Sequence, residues 1–184
     1  LYTRNMKEAI QQALEVLRNG GIILYPTDTV WGIGCDATDP AAVAKVYAIK
    51  HREDSKSLVL LASDMDMICR YVKEVPEMAI QLVEVNDKPM TIIYPDAVAG
   101  PRPSDAGASL PAPCRHCLAF NTVAEDGTVG IRVPMMDFCQ QLVGADAYVD
   151  CESQCPSYLI LQPYGDIYGI FSPVAKAHVN EAFI

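Results

Sequence analysis

The sequence predicts an α/β fold in which helices alternate with the strands of a central sheet. Stretches with apolar residues at helical spacing alternate along the chain with short, β-prone apolar runs. The chain has 184 residues, of which 51% are hydrophobic, so it is long enough to bury one substantial core. We therefore expect a single domain spanning residues 1–184.

The N-terminal part of the chain is predicted to form a helix, a strand, a loop and a second helix. We expect the first helix over residues 5–19, with Asn5 as a candidate N-cap and Gly20 closing the segment. The run GIILY at 21–25 is β-prone and is ended by a proline. Pro40 then opens the second helix, because proline is favoured at the first helical position.

Further strands and helices are expected to alternate beyond this second helix. Continuous apolar runs predict strands at 57–62, 90–94 and 128–133. Helical spacing of apolar residues predicts helices at 64–72, 77–84 and 137–143.

Two stretches lack this clear periodicity. Residues 97–121 are rich in Pro, Gly, Ala and Ser, which predicts a long surface loop. Residues 144–184 contain only two strand-like runs, at 158–162 and 167–171.

Charge and hydropathy argue against several classes of function. The formal net charge of -9 disfavours general attraction to nucleic acid or to an anionic membrane surface, so a nucleic-acid role would need a local basic cleft. No apolar run approaches the length of a membrane span, and no charged-then-apolar leader is present. We therefore expect a cytoplasmic protein without a membrane partner.

The stretch YPTDTVWGIGCDA, at residues 25–37, follows the first predicted strand. Residues at the end of a buried strand stand where α/β sheets bind ligands. The hydroxyls of Thr27 and Thr29 can donate and accept hydrogen bonds, which suits a small amino acid or a phosphate oxygen. Alternatively, the segment is a hydrogen-bonded turn in which Asp28 binds backbone amides.

A cluster of cations, Lys50, Arg52 and Lys56, lies at the end of the second predicted helix. Several converging cations suit a triphosphate, because arginine binds phosphate oxygens bidentately and lysine acts as a point charge. Alternatively, these cations only complement the helix dipole. The chain lacks the G-x-x-x-x-G-K-[ST] pattern, so a nucleotide would not be bound on a P-loop.

The seven cysteines do not predict a disulfide framework, because their number is odd and several lie in apolar patterns. Cys114, Cys117, Cys151 and Cys155 could in principle form a four-ligand zinc site. Their spacing is loose, however, and we predict no protein-held metal site.

Four motifs, GGIILYPTDTVWGIGCDA, IKHREDSKSL, KPMTIIYP and GTVGIRVP, resemble those of the YrdC-like threonylcarbamoyl-AMP synthases in order and spacing. The resemblance covers about residues 5–96 and 125–143. It implies a twisted mixed sheet with flanking helices and a large concave face. It also implies a nucleotidyltransferase that condenses L-threonine, bicarbonate and ATP into L-threonylcarbamoyladenylate and pyrophosphate. The product feeds the threonylcarbamoylation of adenosine 37 in tRNA.

The resemblance also implies roles for individual residues. Thr27 and Arg132 would belong to the threonine pocket, and Lys50 and Arg52 would act in catalysis by holding the ATP phosphates. Thr91 would lie near the nucleotide. Magnesium is expected on the phosphates, with ligands supplied mainly by ATP and water. tRNA and tRNA-modification proteins are further candidate partners.

The family's Ser-x-Asn motif is missing, and the chain reads YVDCESQCPS around Val149. Either the nucleotide lid has diverged, or the residues of this segment differ from those that the gene encodes. Two other hypotheses remain open for the whole chain. It could bind double-stranded RNA or a nucleotide without catalysis, or it could be a carbamoyltransferase-type relative that forms one domain of a larger hydrogenase-maturation protein.

Overall fold

The computed structural model of the chain describes residues 2–50, 58–106, 117–144 and 160–162. Helices and short strands alternate through these ranges, as the sequence predicts. In chain order they are α1 (Tyr2–Arg18), β1 (Ile23–Tyr25), β2 (Gly32–Gly34), α2 (Pro40–Lys50), β3 (Val59–Leu61), α3 (Met65–Tyr71), α4 (Glu77–Val85), β4 (Ile92–Tyr94), α5 (Pro103–Ala106), a 3-10 turn (Phe120–Thr122), β5 (Val129–Arg132), α6 (Asp137–Gly144) and β6 (Ile160–Gln162).

The described strands form two sheets. β1 and β2 pair as an antiparallel hairpin. The other four strands lie in the order β4-β5-β3-β6. β3 and β5 run parallel, whereas β4 and β6 run antiparallel to their neighbours. The α/β class with a mixed sheet and flanking helices is therefore confirmed, and the prediction of one domain over 1–184 stays a prediction.

The helix boundaries follow from ordinary capping. α1 buries Leu14 and Leu17 on its core-facing side. Its end is closed by Gly20, which has a φ of 67° and donates its N–H to the carbonyl of Leu17 at 2.9 Å. That left-handed conformation is the usual glycine helix end. At the start of α3, the carboxylate of Asp64 accepts the N–H of Met67 at 2.8 Å, which is a typical N-cap.

The centre of the sheet is the most deeply buried part of the described chain. Leu60 and Leu61 in β3 are fully buried between β5 and β6, which explains the continuous apolar run of this strand. The ladder between β3 and β5 continues beyond the strands, because Ala62 donates its N–H to the carbonyl of Arg132 at 3.0 Å. The end of β5 is therefore held by backbone hydrogen bonds where Arg132 leaves the sheet.

Three predictions about local structure need correction. α1 begins at Tyr2, so Asn5 lies inside the helix and is not its N-cap. β2 is absent from the predicted elements, because its sequence, Gly-Ile-Gly, carries two residues that are depleted in strands. Pairing with β1 overrides that weak propensity.

The third correction concerns the long loop expected at 97–121, of which 107–116 lie outside the described residues. Its two described ends are paired, since Gly100 donates to the carbonyl of Leu118 and Leu118 donates to that of Val98, both at 2.8 Å. Leu118 is fully buried. The second end is therefore part of the core and the first is paired with it, and only their distance in sequence hid the pairing.

Of the tail beyond residue 144, the structure describes only β6, which confirms part of the run at 158–162. The run at 167–171 lies outside the described residues. In the described part of the chain, the helices are all too short or too polar to cross a bilayer.

A substitution at Gly32 in β2 would test how tightly the hairpin packs. A Cβ atom at this position would lie 2.8 Å from the ring of Tyr25, and that ring is almost completely buried. We expect Gly32→Ala to lower the free energy of unfolding by about 1–3 kcal/mol, the usual cost of overpacking. Urea denaturation would measure the change. Gly127→Ala is not a suitable control, because Gly127 has a φ of 81°. Gly130→Ala is a better one, because its new Cβ would make contacts no shorter than 3.5 Å.

Candidate functional site

The loop at 26–31, between β1 and β2, is organised by the hydroxyl of Thr27. This oxygen accepts the N–H groups of Val30 and Thr29 at 3.2 and 3.3 Å and donates to the carbonyl of Val30 at 2.5 Å. It also lies 3.2 Å from the hydroxyl oxygen of Thr29. The segment is therefore a hydrogen-bonded turn, as in the alternative interpretation, but Thr27 rather than Asp28 binds its amides.

Asp28 instead forms a buried ion pair with Arg132, from the end of β5. The Nη2 atom of Arg132 lies 2.5 Å from Oδ1 of Asp28, and the two side chains are only 6% and 12% exposed. The second carboxylate oxygen accepts the N–H of Met135 at 3.1 Å. Asp28 thus connects the loop to the end of β5 and to the segment that leads into α6.

The guanidinium of Arg132 makes a second contact with the same loop. Its Nη1 atom donates to the hydroxyl of Thr29 at 3.2 Å. Its Nε atom, in contrast, is buried and has no hydrogen-bond partner. The structure therefore places Thr27 and Arg132, the two residues expected at a threonine pocket, at one site, because the hydroxyl of Thr29 lies within hydrogen-bond distance of both.

Thr91, expected near the nucleotide, lies on the same face of the sheet as Arg132. The register of β4 and β5 pairs Ile92 with Ile131, so Thr91 follows opposite Arg132. The methyl carbon of Thr91 also lies 3.5 Å from the position that a Cβ on Gly130 would take. The absence of a side chain at Gly130 leaves room for this methyl group.

The expected phosphate-binding cluster is only partly described. Lys50 is the last residue of α2 and is half-buried. Arg52 and Lys56 lie outside the described residues. Their roles therefore stay predictions.

The described cysteines do not form a metal site. Cys35, Cys69 and Cys139 carry free thiols. Cys117 belongs to the zinc alternative and lies within the described residues. The other three cysteines of the zinc alternative lie outside the described residues. Among the side chains that are described, no group of three or more metal-binding residues comes together.

A cavity of about 280 Å³ lies on the other face of the sheet and does not belong to this site. Its walls include Ile131 and Val133, which point away from Arg132 because side chains alternate along a strand. Val83 and Ile92 add further apolar surface. The hydroxyls and the ion pair, which carry the chemistry, therefore make the loop side the candidate functional site.

Cys139 packs against the base of the site. Its thiol donates to the carbonyl of Pro26 at 3.2 Å. The pKa of the Cys139 thiol is raised from 9.0 to about 11. Burial is the largest cause and the nearby carboxylate of Asp28 is the next, whereas the positive charge of Arg132 lowers this pKa. Burial also raises the pKa of Tyr25 and of Cys35 well above their usual values. These groups are therefore neutral in the folded protein at physiological pH.

This burial predicts a loss of stability at alkaline pH. Between about pH 9 and 11, the unfolded chain releases the Cys139 proton that the folded chain still holds, so the folded state is increasingly disfavoured as pH rises. The slope from one such group is at most about 1.4 kcal/mol per pH unit. We expect Cys139→Ala to make the decline shallower without removing it, since Cys35 and Tyr25 shift in the same direction. Urea denaturation at pH 8, 9, 10 and 11 would test this, and an unchanged slope would contradict it.

The contacts of Thr27 also predict how this position tolerates substitution. Thr27→Val keeps the shape of the side chain but leaves the N–H groups of Thr29 and Val30 without their acceptor. We expect this change to lower the free energy of unfolding by about 0.5–1.5 kcal/mol. Thr27→Ser, which retains the hydroxyl, is the matched control and should be close to the parent protein. Equal stability of the two variants in thermal denaturation would show that the hydroxyl does not hold the loop.

Asp28 is the site residue whose partner could not be predicted from the sequence. An acidic residue between two threonines at a strand end was visible, but its partner lies 104 residues further along the chain. Asp28 lies in the hairpin loop and Arg132 lies at the end of β5 in the other sheet, so no local pattern reveals their contact.

Comparisons with known proteins identify relatives of this chain. A family model, Sua5_yciO_yrdC, described as "Telomere recombination", matches residues 15–151. A threonylcarbamoyl-AMP synthase of Halorhodospira halophila is 34% identical over 94 residues, which are 50% of this chain and 49% of that protein. A second, from Chromohalobacter salexigens, is 46% identical over 61 residues, or 33% of each chain. The alignments thus span about half, or less, of the length of these curated relatives.

A solved structure shows the same fold. The crystal structure of P. abyssi Sua5 complexed with L-threonine superposes with a TM-score of 0.63 at 23% identity. The superposition covers 96% of this chain and 44% of that one. At this identity, the likeness establishes the fold alone.

Proposed function

The chain belongs to the Sua5/YciO/YrdC family, which confirms the YrdC-like resemblance of its motifs, and on this basis we propose that it is an L-threonylcarbamoyladenylate synthase. In this proposal it is a cytoplasmic nucleotidyltransferase that uses L-threonine, bicarbonate and ATP. The curated relatives named threonylcarbamoyl-AMP synthase support the proposal. Further support comes from P. abyssi Sua5, which was crystallised as a complex with L-threonine.

The observation that carries the proposal is the buried guanidinium of Arg132 beside the threonine-rich loop. An amino-acid ligand presents a carboxylate, and a guanidinium is the side chain best suited to bind it. The unpartnered Nε–H group of Arg132 is a donor that such an oxygen could satisfy. Pure phosphate binding would need no amino-acid pocket, so an enzyme that uses threonine is favoured over a nucleic-acid-binding module.

The chemistry suits a site that positions its substrates. The amine of threonine and bicarbonate form a carbamate with loss of water. A carbamate oxygen then attacks the α-phosphorus of ATP, a new P–O bond forms, and the bond to pyrophosphate breaks. Orientation of the reactants and stabilisation of charge account for most of such a rate enhancement. In this chain, Arg132 would hold the threonine, and Lys50 and Arg52 would hold the phosphates.

Magnesium is proposed to accompany ATP. The described side chains of the site that could ligate a metal ion are hydroxyls and one carboxylate. That carboxylate already binds Arg132 and the N–H of Met135. This set fits an ion held mainly by phosphate oxygens and water, which is how proteins usually bind Mg²⁺ with nucleotides. The ion would neutralise charge on the phosphates. We further propose that the product is consumed in tRNA modification, with tRNA or its modification proteins as partners.

Pyrophosphate release is the direct test of the proposed function. We expect release from ATP and Mg²⁺ only when both L-threonine and bicarbonate are present, together with a product whose mass is that of threonylcarbamoyl-AMP. Reactions without either substrate are the controls. Formation of ADP alone would contradict the proposal. Binding of ATP or double-stranded RNA without any turnover would favour a binding module.

A further inference from the structure

We propose that Asp28 is a positioning residue, which holds the Nη end of Arg132 so that the Nε–H group is left to bind a carboxylate oxygen of the substrate. The identity of that substrate as threonine rests on the proposed function. The positioning itself rests on the geometry of the ligand-free protein.

Asp28 uses both of its carboxylate oxygens. Oδ1 accepts a hydrogen bond from Nη2 of Arg132 at 2.5 Å, and Oδ2 accepts the N–H of Met135 at 3.1 Å. The same side chain therefore orients the guanidinium and holds the backbone three residues further along. A carboxylate that binds an arginine and a backbone N–H together is held in one orientation, because either bond alone would leave it free to rotate.

Burial strengthens the hold of Asp28 on the guanidinium of Arg132. Asp28 and Arg132 are 12% and 6% exposed, so water does little to replace either partner. Removal of one member of a buried pair leaves the other charge without compensation, which is strongly unfavourable. With its charge already balanced by Asp28, Arg132 contributes directed N–H donors to a ligand more than it contributes net charge.

Three of the N–H donors of Arg132 can be assigned. A guanidinium has five N–H groups. Thr29 accepts from Nη1 and Asp28 accepts from Nη2. Nε is buried without a partner, although buried donors are nearly always satisfied. The unpaired donor therefore marks the atom at which a ligand oxygen completes the site.

Nuclear magnetic resonance of the ligand-free protein tests the positioning without relying on any activity. The Nε–H resonance of Arg132 would be assigned by its absence in Arg132→Lys. We expect a sharp, slowly exchanging signal in the parent protein and a broadened, rapidly exchanging one in Asp28→Asn. An unchanged signal in Asp28→Asn would overturn the positioning role.

Asp126→Asn is the matched control. Asp126 lies just before the same strand and is exposed, and it accepts hydrogen bonds from Thr128 within its own turn. The identical chemical change there should leave the Arg132 signal and the substrate affinities unchanged. A loss of the Arg132 signal in this variant as well would mean that any damage to β5 releases the guanidinium, and it would overturn the specific role of Asp28.

Binding measurements then test whether the positioning of Arg132 by Asp28 supports threonine binding. By calorimetry, we expect Asp28→Asn to weaken L-threonine binding about 10- to 100-fold, because a small misplacement of a binding group has effects of this size. ATP binding should change less than about twofold. Equal losses for both ligands would indicate general structural damage and overturn the role.

The outcome in the parent protein separates this inference from the proposed function. If the parent binds threonine and the Nε–H resonance shifts on binding, the inference is supported. If it binds threonine without moving that resonance, the assignment of Nε to the ligand is wrong. If the parent binds no threonine, the proposed function fails, and the ligand-free spectra of Asp28→Asn still decide whether Asp28 positions Arg132.

Discussion

Replacement of Arg132 with alanine is expected to abolish threonine-dependent turnover and to lower the free energy of unfolding by about 3–5 kcal/mol. The two losses have different causes. Turnover fails because the guanidinium that would bind the substrate is gone. Stability falls because the carboxylate of Asp28 stays buried with only the N–H of Met135 as a hydrogen-bond partner.

A second variant separates these causes. In the double variant Asp28→Ala with Arg132→Ala, no buried charge remains unpaired, so part of the lost stability should return while turnover stays absent. Arg132→Lys keeps the charge but has a single compact ammonium, which cannot bind both Asp28 and Thr29 in the same geometry. Urea denaturation and pyrophosphate release measure the two quantities. Undiminished turnover in Arg132→Ala would remove this residue from the site.

The second large effect is expected from Lys50→Ala and from Arg52→Ala. Each should weaken the use of ATP by about 1.5–3 kcal/mol, the usual contribution of a hydrogen bond to a charged group. Threonine affinity should change little, because the predicted contacts of these cations are to the phosphates. The kinetic constants for ATP and for threonine, determined separately, would show this division.

Lys45 offers a matched control on the same helix. Its ammonium donates to the carbonyl of Gly20 at 2.8 Å, so Lys45→Ala should affect stability but not the use of ATP. If Lys50 only complements the helix dipole, Lys50→Ala should instead cost about 0.3–1 kcal/mol of stability and leave ATP kinetics intact. That result would support the simpler interpretation of the cation cluster.

The local elements were predictable because their signals are local. Pro40 begins α2 and Gly20 closes the α1 segment, as their backbone preferences require. The run at 57–62 contains the fully buried β3. β2 was missed because its glycines carry no strand signal, and it forms only through pairing with β1.

In the candidate site as well, the residue types were predictable from the sequence but their contacts were not. The motifs alone singled out Thr27, Arg132, Lys50, Arg52 and Thr91 as the residues with suitable chemistry. They did not reveal that the hydroxyl of Thr27 is used within its own loop. A side chain's set of donors and acceptors is a property of the residue type, whereas the partner of each depends on which groups lie nearby.

The sequence by itself determined the alternation of helices and strands, the positions of most elements and the set of candidate residues, because these depend on periodicity and residue chemistry over a few positions. The tertiary structure alone decided that Asp28 meets Arg132 and that an Nε–H group is left unpaired. That contact joins residues 104 positions apart. It exists because β5, a strand of the four-stranded sheet, ends at the hairpin loop, and no local propensity encodes such a meeting of distant segments.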